Sequence, residues 1–223
     1  MNALSKPIHS NQQDVHEKLF EILEKHRQNP FRKPIARHTE IAFEFAEEIL
    51  ASSGKEKLIL DSGCGVGEST INLAKLHPDA FVLGIDKSEA RLRKILARQE
   101  ILTNYVLIRA DLIDFWRLAA RAKWRVDKHY ILYPNPWPKK RDIKKRFYAH
   151  PVFWDLIQLG QEFELRSNWK LYLQEFALAF AYATGKKFEV EQFVPHRPIS
   201  PFERKYLASG HTLYKLILRN ESG

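Results

Sequence analysis

Cysteine is nearly absent. Cys64 is the single one in 223 residues, which excludes an intramolecular disulfide and any zinc site built from several thiolates. No apolar run approaches the roughly 18 residues needed to cross a bilayer, and residues 1–13 carry no apolar core of the kind a secretory signal requires. A cytoplasmic protein with no membrane contact and no metal is therefore expected. Internal repeats and low-complexity tracts are missing as well, which sets solenoid and fibrous architectures aside. Acids are short relative to bases, 27 against 36, and the resulting net charge of +9 points to an acidic partner. What remains, 44% hydrophobic and 28% charged residues, is the composition of a folded globular chain long enough to bury its own core.

Val15, Leu19, Ile22 and Leu23 recur at helical spacing until Asn29-Pro30 stops the pattern. A second helix is expected from about Thr39 to Leu50, with Ile41, Phe45 and Ile49 along one stripe. Strand-like segments near 58–61, 81–85, 105–109, 129–133 and 162–166 then alternate with helical patterns, which argues for a parallel sheet with crossover helices. Segments 188–193 and 213–218 read as two more strands with no helix clearly between them, an antiparallel hairpin-type edge. The fold class is accordingly α/β, a doubly wound, mostly parallel seven-stranded sheet. Residues 1–56 form an N-terminal helical extension and 57–223 the main domain.

The most informative loop is Asp61-Ser62-Gly63-Cys64-Gly65-Val66-Gly67-Glu68, a glycine-rich turn between an apolar strand and a helical pattern. Glycine at Gly63, Gly65 and Gly67 allows positive φ and close approach of a ligand to the backbone. A dinucleotide fingerprint needs its third glycine where Glu68 stands, so a pyrophosphate-bearing cofactor is disfavoured by like charge. With Asp61 in front, the spacing is similar to the D/E-x-G-x-G-x-G motif of class I methyltransferases that use S-adenosylmethionine. Asp86 closes the second strand, where a carboxylate suits a ribose hydroxyl pair but also a plain helix cap. Asp111, after the third strand, is placed to accept from an adenine amino group.

The fourth strand leads into Tyr133-Pro134-Asn135-Pro136-Trp137-Pro138, whose three prolines stiffen the backbone. Six cations follow within eight residues: Lys139, Lys140, Arg141, Lys144, Lys145 and Arg146, with Asp142 the one acid among them. Such a block is either a solvated face or, with Trp137, Phe147 and Tyr148 beside it, a nucleic-acid contact. Ser167-Asn168 with Tyr172, and Ser200-Pro201-Phe202-Glu203, complete the candidate chemistry.

Together these segments resemble the tRNA (guanine-N7)-methyltransferase family over roughly 57–220. That family's F-P-D-P-W-x-K-x-R corresponds to Tyr133–Arg141, its T-D-x-x-x-Y to Ser167–Tyr172, and its T-x-F-E to Ser200–Glu203. The resemblance implies a class I methyltransferase fold, S-adenosylmethionine as cofactor and transfer of its methyl group to guanine N7 in tRNA. It implies that Asp61, Gly63, Gly65, Gly67, Asp86 and Asp111 hold the cofactor and that Asn135, Asn168 and Glu203 arrange the base. Trp137, Lys139, Lys140, Arg141, Lys144, Lys145, Arg146, Tyr172 and Ser200 would contact RNA. The chain departs from the family where aspartates are expected, at Asn135 and Asn168. Both changes remove negative charge and keep open another nucleic-acid position, a small amine, or a paralogue that binds RNA without catalysis.

Overall fold

The strand segments are apolar on both faces because both faces are covered. In β1 (Lys57–Ser62) five of six residues are buried, and in β2 (Ala80–Asp86) all seven. With β3 (Tyr105–Arg109), β4 (Val126–Leu132), β5 (Gly160–Ser167), β6 (Val190–Phe193) and β7 (Leu213–Arg219) they form one sheet in the order β3-β2-β1-β4-β5-β7-β6. The pairings from β3 through β5 are parallel. The computed structural model describes residues 5–94 and 102–220; residues 1–4 and 221–223, at the outer ends of the two expected domain ranges, lie outside them.

Successive strand residues point to opposite faces. Leu60, Leu83, Ile85 and Ile131 join the larger core, while Ile59, Val82, Tyr130 and Leu132 join the smaller one. On the larger side lie α1 (Leu19–Gln28), α2 (Arg37–Ser52), α5 (Leu112–Arg121), α6 (Phe153–Leu156) and α7 (Lys170–Thr184). On the other lie α3 (Glu68–Leu76) and α8 (Pro201–Ala208), and the short α4 (Glu89–Leu92) follows β2. Leu19, Leu23, Phe43 and Ala46 belong to the same cluster as the sheet, so the first two helices share the main core.

Three local expectations are corrected. Helix α1 starts at Leu19, and Val15 before it is exposed. Helix α2 buries Thr39, Phe43 and Ala46, while Ile41 and Phe45 face outward at 52% and 49% exposure. Apolar residues are not obliged to be inside, and the small Thr39 and Ala46 let this helix pack closely. The last two strands are no hairpin: α8 separates them, and β7 inserts between β5 and β6, antiparallel to both.

Arg146 and Glu175 form an ion pair at 2.6 Å with both side chains 0% exposed. Glu175 also accepts from the backbone N–H of His16 (2.7 Å), from Gln12 (2.8 Å) and from the Tyr148 hydroxyl. Arg146 donates onward to Gln12 Oε1 (2.9 Å) and to the Trp137 carbonyl (3.2 and 3.1 Å). Removing one member of a buried, hydrogen-bonded pair strands the other charge, at a cost of about 3–5 kcal/mol. Arg146→Met should therefore lower the unfolding free energy by about that amount in urea titration; a loss no larger than that of a surface substitution would show that the pair is not the brace its geometry indicates.

Candidate active site

The carboxyl ends of β1 through β5 lie along one edge of the sheet, and the strand order reverses between β1 and β4, the position where open α/β sheets form ligand crevices. After β1 the chain turns through Gly63, Gly65 and Gly67, at φ of 80°, 61° and 81°. A Cβ added at Gly65 would meet nothing within 4 Å, so the missing side chain leaves open space beside the backbone. At Gly84 in β2 the reverse holds: a Cβ would collide with Thr70 and Leu107. That close approach brings α3 onto the sheet, so that Ser69 and Thr70 donate to Asp61 Oδ2 at 2.6 and 2.7 Å.

The other carboxylate oxygen of Asp61, Oδ1, is buried with no hydrogen-bond partner among the described residues. Burial pushes this carboxyl up to about 6, against the opposing pull of its two hydroxyl donors. A cavity of about 140 Å³ opens on the glycine turn, lined among others by Gly63, Gly65, Arg91, Leu132, Phe202 and Ser69; Ser69 donates to Asp61, which does not itself line the cavity. An orphaned carboxylate oxygen and a glycine cradle fit a ligand with a cationic amine, as the methionyl end of S-adenosylmethionine has. Cys64 lies buried in the same loop, and burial raises its thiol well above the ordinary range.

Asp86 is 4% exposed and accepts from Gly65 N–H (3.0 Å), Ser88 N–H (2.8 Å) and the Arg91 guanidinium (3.1 Å). It ties the glycine loop to β2, and a ribose would compete with Arg91 for it. Sequence reading missed Arg91, whose one signal is a cation five residues past a strand-end acid. Asp111 caps α5, its Oδ1 accepting from the N–H groups of Ile113 (3.0 Å) and Asp114 (3.3 Å).

The loop after β4 starts at the cavity, since Leu132 lines it. Tyr133 and Trp137 both have positive φ, 52° and 46°, a costly conformation for non-glycine residues that the surrounding contacts impose. Asn135 is exposed, and its Oδ1 accepts from Trp137 N–H at 3.3 Å. Asn168, past the neighbouring β5, is half-buried and bonds His211 at 2.9 Å.

Several expected contacts are placed elsewhere. Glu203 is fully buried, with Oε1 accepting from Tyr133 Oη (2.7 Å) and Arg166 (2.9 Å) and Oε2 from Ile199 N–H (2.8 Å). Its acceptors are committed to the protein, so it locks α8 against the ends of β4 and β5 and does not face a base. Ser200 is buried and caps α8, accepting from Glu203 N–H at 3.2 Å, and it lies in the lining of the glycine-turn cavity. Tyr172 is 1% exposed against Tyr148, and Arg146 is sealed in its ion pair, so neither reaches a phosphate. Lys139, Lys140, Arg141, Lys144 and Lys145 remain exposed. Lys140 pairs with Glu17 (2.8 Å), and Lys145 lies 4.5 Å over the Trp137 ring.

Residues 55–216 match the model of a family described as "Putative methyltransferase". The chain is 32% identical over 169 residues to a tRNA (guanine-N(7)-)-methyltransferase of Aquifex aeolicus, covering 73% of this chain and 56% of that one. It is 27% identical over 173 residues to a protein of the same name from Ralstonia pickettii, covering 73% and 66%. The chain thus spans just over half the length of the first relative and slightly under two thirds of the second. Among solved structures, an antibiotic-related methyltransferase superposes with a TM-score of 0.59 at 18% identity, covering 80% of this chain and 94% of that one. A 16S rRNA methyltransferase gives 0.57 at 18%, covering 78% and 92%. These two likenesses show the fold.

Asp61 supplies a test. Its acid form predominates below about pH 6 in the free protein, and a cationic ligand favours the carboxylate. Proton linkage then makes affinity for S-adenosylhomocysteine roughly tenfold weaker at pH 5 than at pH 7. Calorimetry should find that dependence and its loss in Asp61→Asn; equal pH dependence in the two proteins would remove Asp61 from the ligand site.

Proposed function

The chain belongs to this methyltransferase family, and from that premise we propose that it transfers the methyl group of S-adenosylmethionine to N7 of a guanine in tRNA. The observation carrying the proposal is the junction at Leu132, where the rigid Tyr133–Arg141 loop leaves the cavity of the glycine turn. When bound, S-adenosylmethionine supplies a methyl group on a cationic sulfur, which keeps the carbon–sulfur electron pair as the N7 lone pair attacks. N7 carries no proton, so the chain needs no general base, and its contribution is position and electrostatics. Asp61 and the Gly63–Gly67 backbone hold the amino-acid end, Asp86 the ribose and Asp111 the adenine edge. Asn135 and Asn168 border the base. Glu203 acts from behind, by holding Tyr133 and Arg166 in register.

The exposed cations are assigned to RNA phosphates. Each neutralised phosphate contact steepens the fall of log affinity with log salt by roughly 0.7–0.9. The triple variant Lys139→Ala, Arg141→Ala, Lys144→Ala should flatten that slope by about 2 to 3 on tRNA and leave S-adenosylhomocysteine affinity unchanged. An unaltered slope would return these residues to a solvated face.

The two asparagines set the rate. Methylation places positive charge on the base, which aspartates would stabilise in the transition state and amide dipoles stabilise less. Asn135→Asp, alone or with Asn168→Asp, should raise the single-turnover rate of N7 methylation by about one to three orders of magnitude. Labelled cofactor with total tRNA, followed by strand cleavage at N7-methylated guanines, measures it. A wild type already fast and slowed by the aspartates would contradict the electrostatic account. Methyl incorporation at another atom would favour a different nucleic-acid target, the reading the asparagines themselves suggest.

A further inference from the structure

Asn168 does not stand alone. Its Nδ2 lies 2.9 Å from His211 Nδ1, and His211 Nε2 lies 3.0 Å from the Ser5 carbonyl oxygen. Ser5 is in turn fastened by its own N–H, which donates to Ser209 Oγ at 2.9 Å. The imidazole is stacked on Tyr206, with centroids 5.2 Å apart and planes 17° apart, and Tyr206 stacks on Phe202 at the rim of the cavity. Ring position is thus set by packing, and ring polarity by hydrogen bonding.

The polarity follows from what each partner is able to do. A backbone carbonyl only accepts, so Nε2 must carry the proton. In a neutral imidazole the other nitrogen is then a bare lone pair. Nδ1 therefore accepts, and the amide of Asn168 must offer it an N–H. With one N–H of its NH2 group held by His211, the orientation of the Asn168 amide is fixed, and its carbonyl oxygen is left for anything that enters the site.

We propose that His211, with its tautomer set by the Ser5 carbonyl, is a positioning residue that turns Asn168 into a one-directional acceptor. The group it selects is a base edge bearing N–H donors, such as N1–H and the exocyclic amine of guanine. An aspartate at this position would accept in either orientation and would need no orienting partner; an asparagine accepts on one side only. His211 and the N-terminal segment replace, by orientation, part of what the carboxylate supplies by symmetry. The selection of a guanine edge rests on the methyltransferase function proposed above, whereas the orientation of the amide does not.

Two measurements separate these. Long-range proton–nitrogen correlation spectra of the full chain should show His211 in the Nε2–H form, with a slowly exchanging Asn168 side-chain amide that becomes fast-exchanging in His211→Phe. The Nδ1–H form would overturn the proposal whatever the protein methylates. In kinetics, His211→Phe, which keeps the ring stack on Tyr206, should lower kcat/KM for tRNA about three- to tenfold, the worth of one hydrogen bond, at unchanged S-adenosylhomocysteine affinity. In an Asn168→Asp background the same change should cost less than about twofold, because a carboxylate has no orientation to lose. Equal costs in both backgrounds would reduce His211 to a packing residue and refute the proposal. The Nε2–H form with no methylation by any variant would uphold the orientation and refute the function.

Discussion

The buried pair of Arg146 and Glu175 holds together the parts from which the site is built. Taking two charges out of water is expensive, and such a pair persists only when its remaining donors and acceptors are also satisfied. Here they are satisfied by three separate pieces of chain. Glu175 belongs to α7, Arg146 ends the loop that leaves β4, and Gln12 with the His16 N–H comes from the N-terminal segment. The guanidinium also donates to the carbonyl of Trp137, a residue with positive φ. The proline-rich loop is stiff because of its composition, but the charge beneath it decides where it stands.

Three carboxylates near the edge of the sheet take different fates, and their fates define the chemistry. Asp86 accepts from two backbone N–H groups and Arg91, three donors for about four acceptor sites, and Glu203 from Tyr133, Arg166 and the Ile199 N–H. Asp61 keeps one oxygen unpaired. In the proposed reading, the one of these carboxylates with a whole oxygen unpartnered among the described residues thus lies on the cofactor side. On the proposed base side the chain offers amides, next to an exposed cationic loop, so that in this reading orientation of dipoles does there what charge would do in a pocket lined by aspartates.

Much of this was legible in the sequence. The first five strands, the glycine turn and the acids at the strand ends are local patterns, and physical rules of short range produce them: apolar runs where both faces are covered, glycine where the backbone must approach a ligand. Helix α8 was missed although Ser200-Pro201-Phe202-Glu203 carries a signal for it, a capping serine, proline in the first turn and glutamate three residues on. The stripe of α2 was misread because Ile41, Phe45 and Ile49 are more apolar than Thr39 and Ala46, which in fact face the core.

By itself the sequence determined the α/β class, the mostly parallel sheet, the glycine turn and the resemblance to tRNA (guanine-N7)-methyltransferases, since all of these reside in spacing along the chain. Only the tertiary structure decided that Arg146 leaves the cationic block for the interior, that Glu203 faces the protein, and that His211 bridges Asn168 and the Ser5 carbonyl. Each of those outcomes depends on a partner 29 to about 200 residues away. A charged or polar side chain looks the same in sequence whether it ends in water or against such a partner, because what settles its role is desolvation and pairing, and both exist only after the chain has folded.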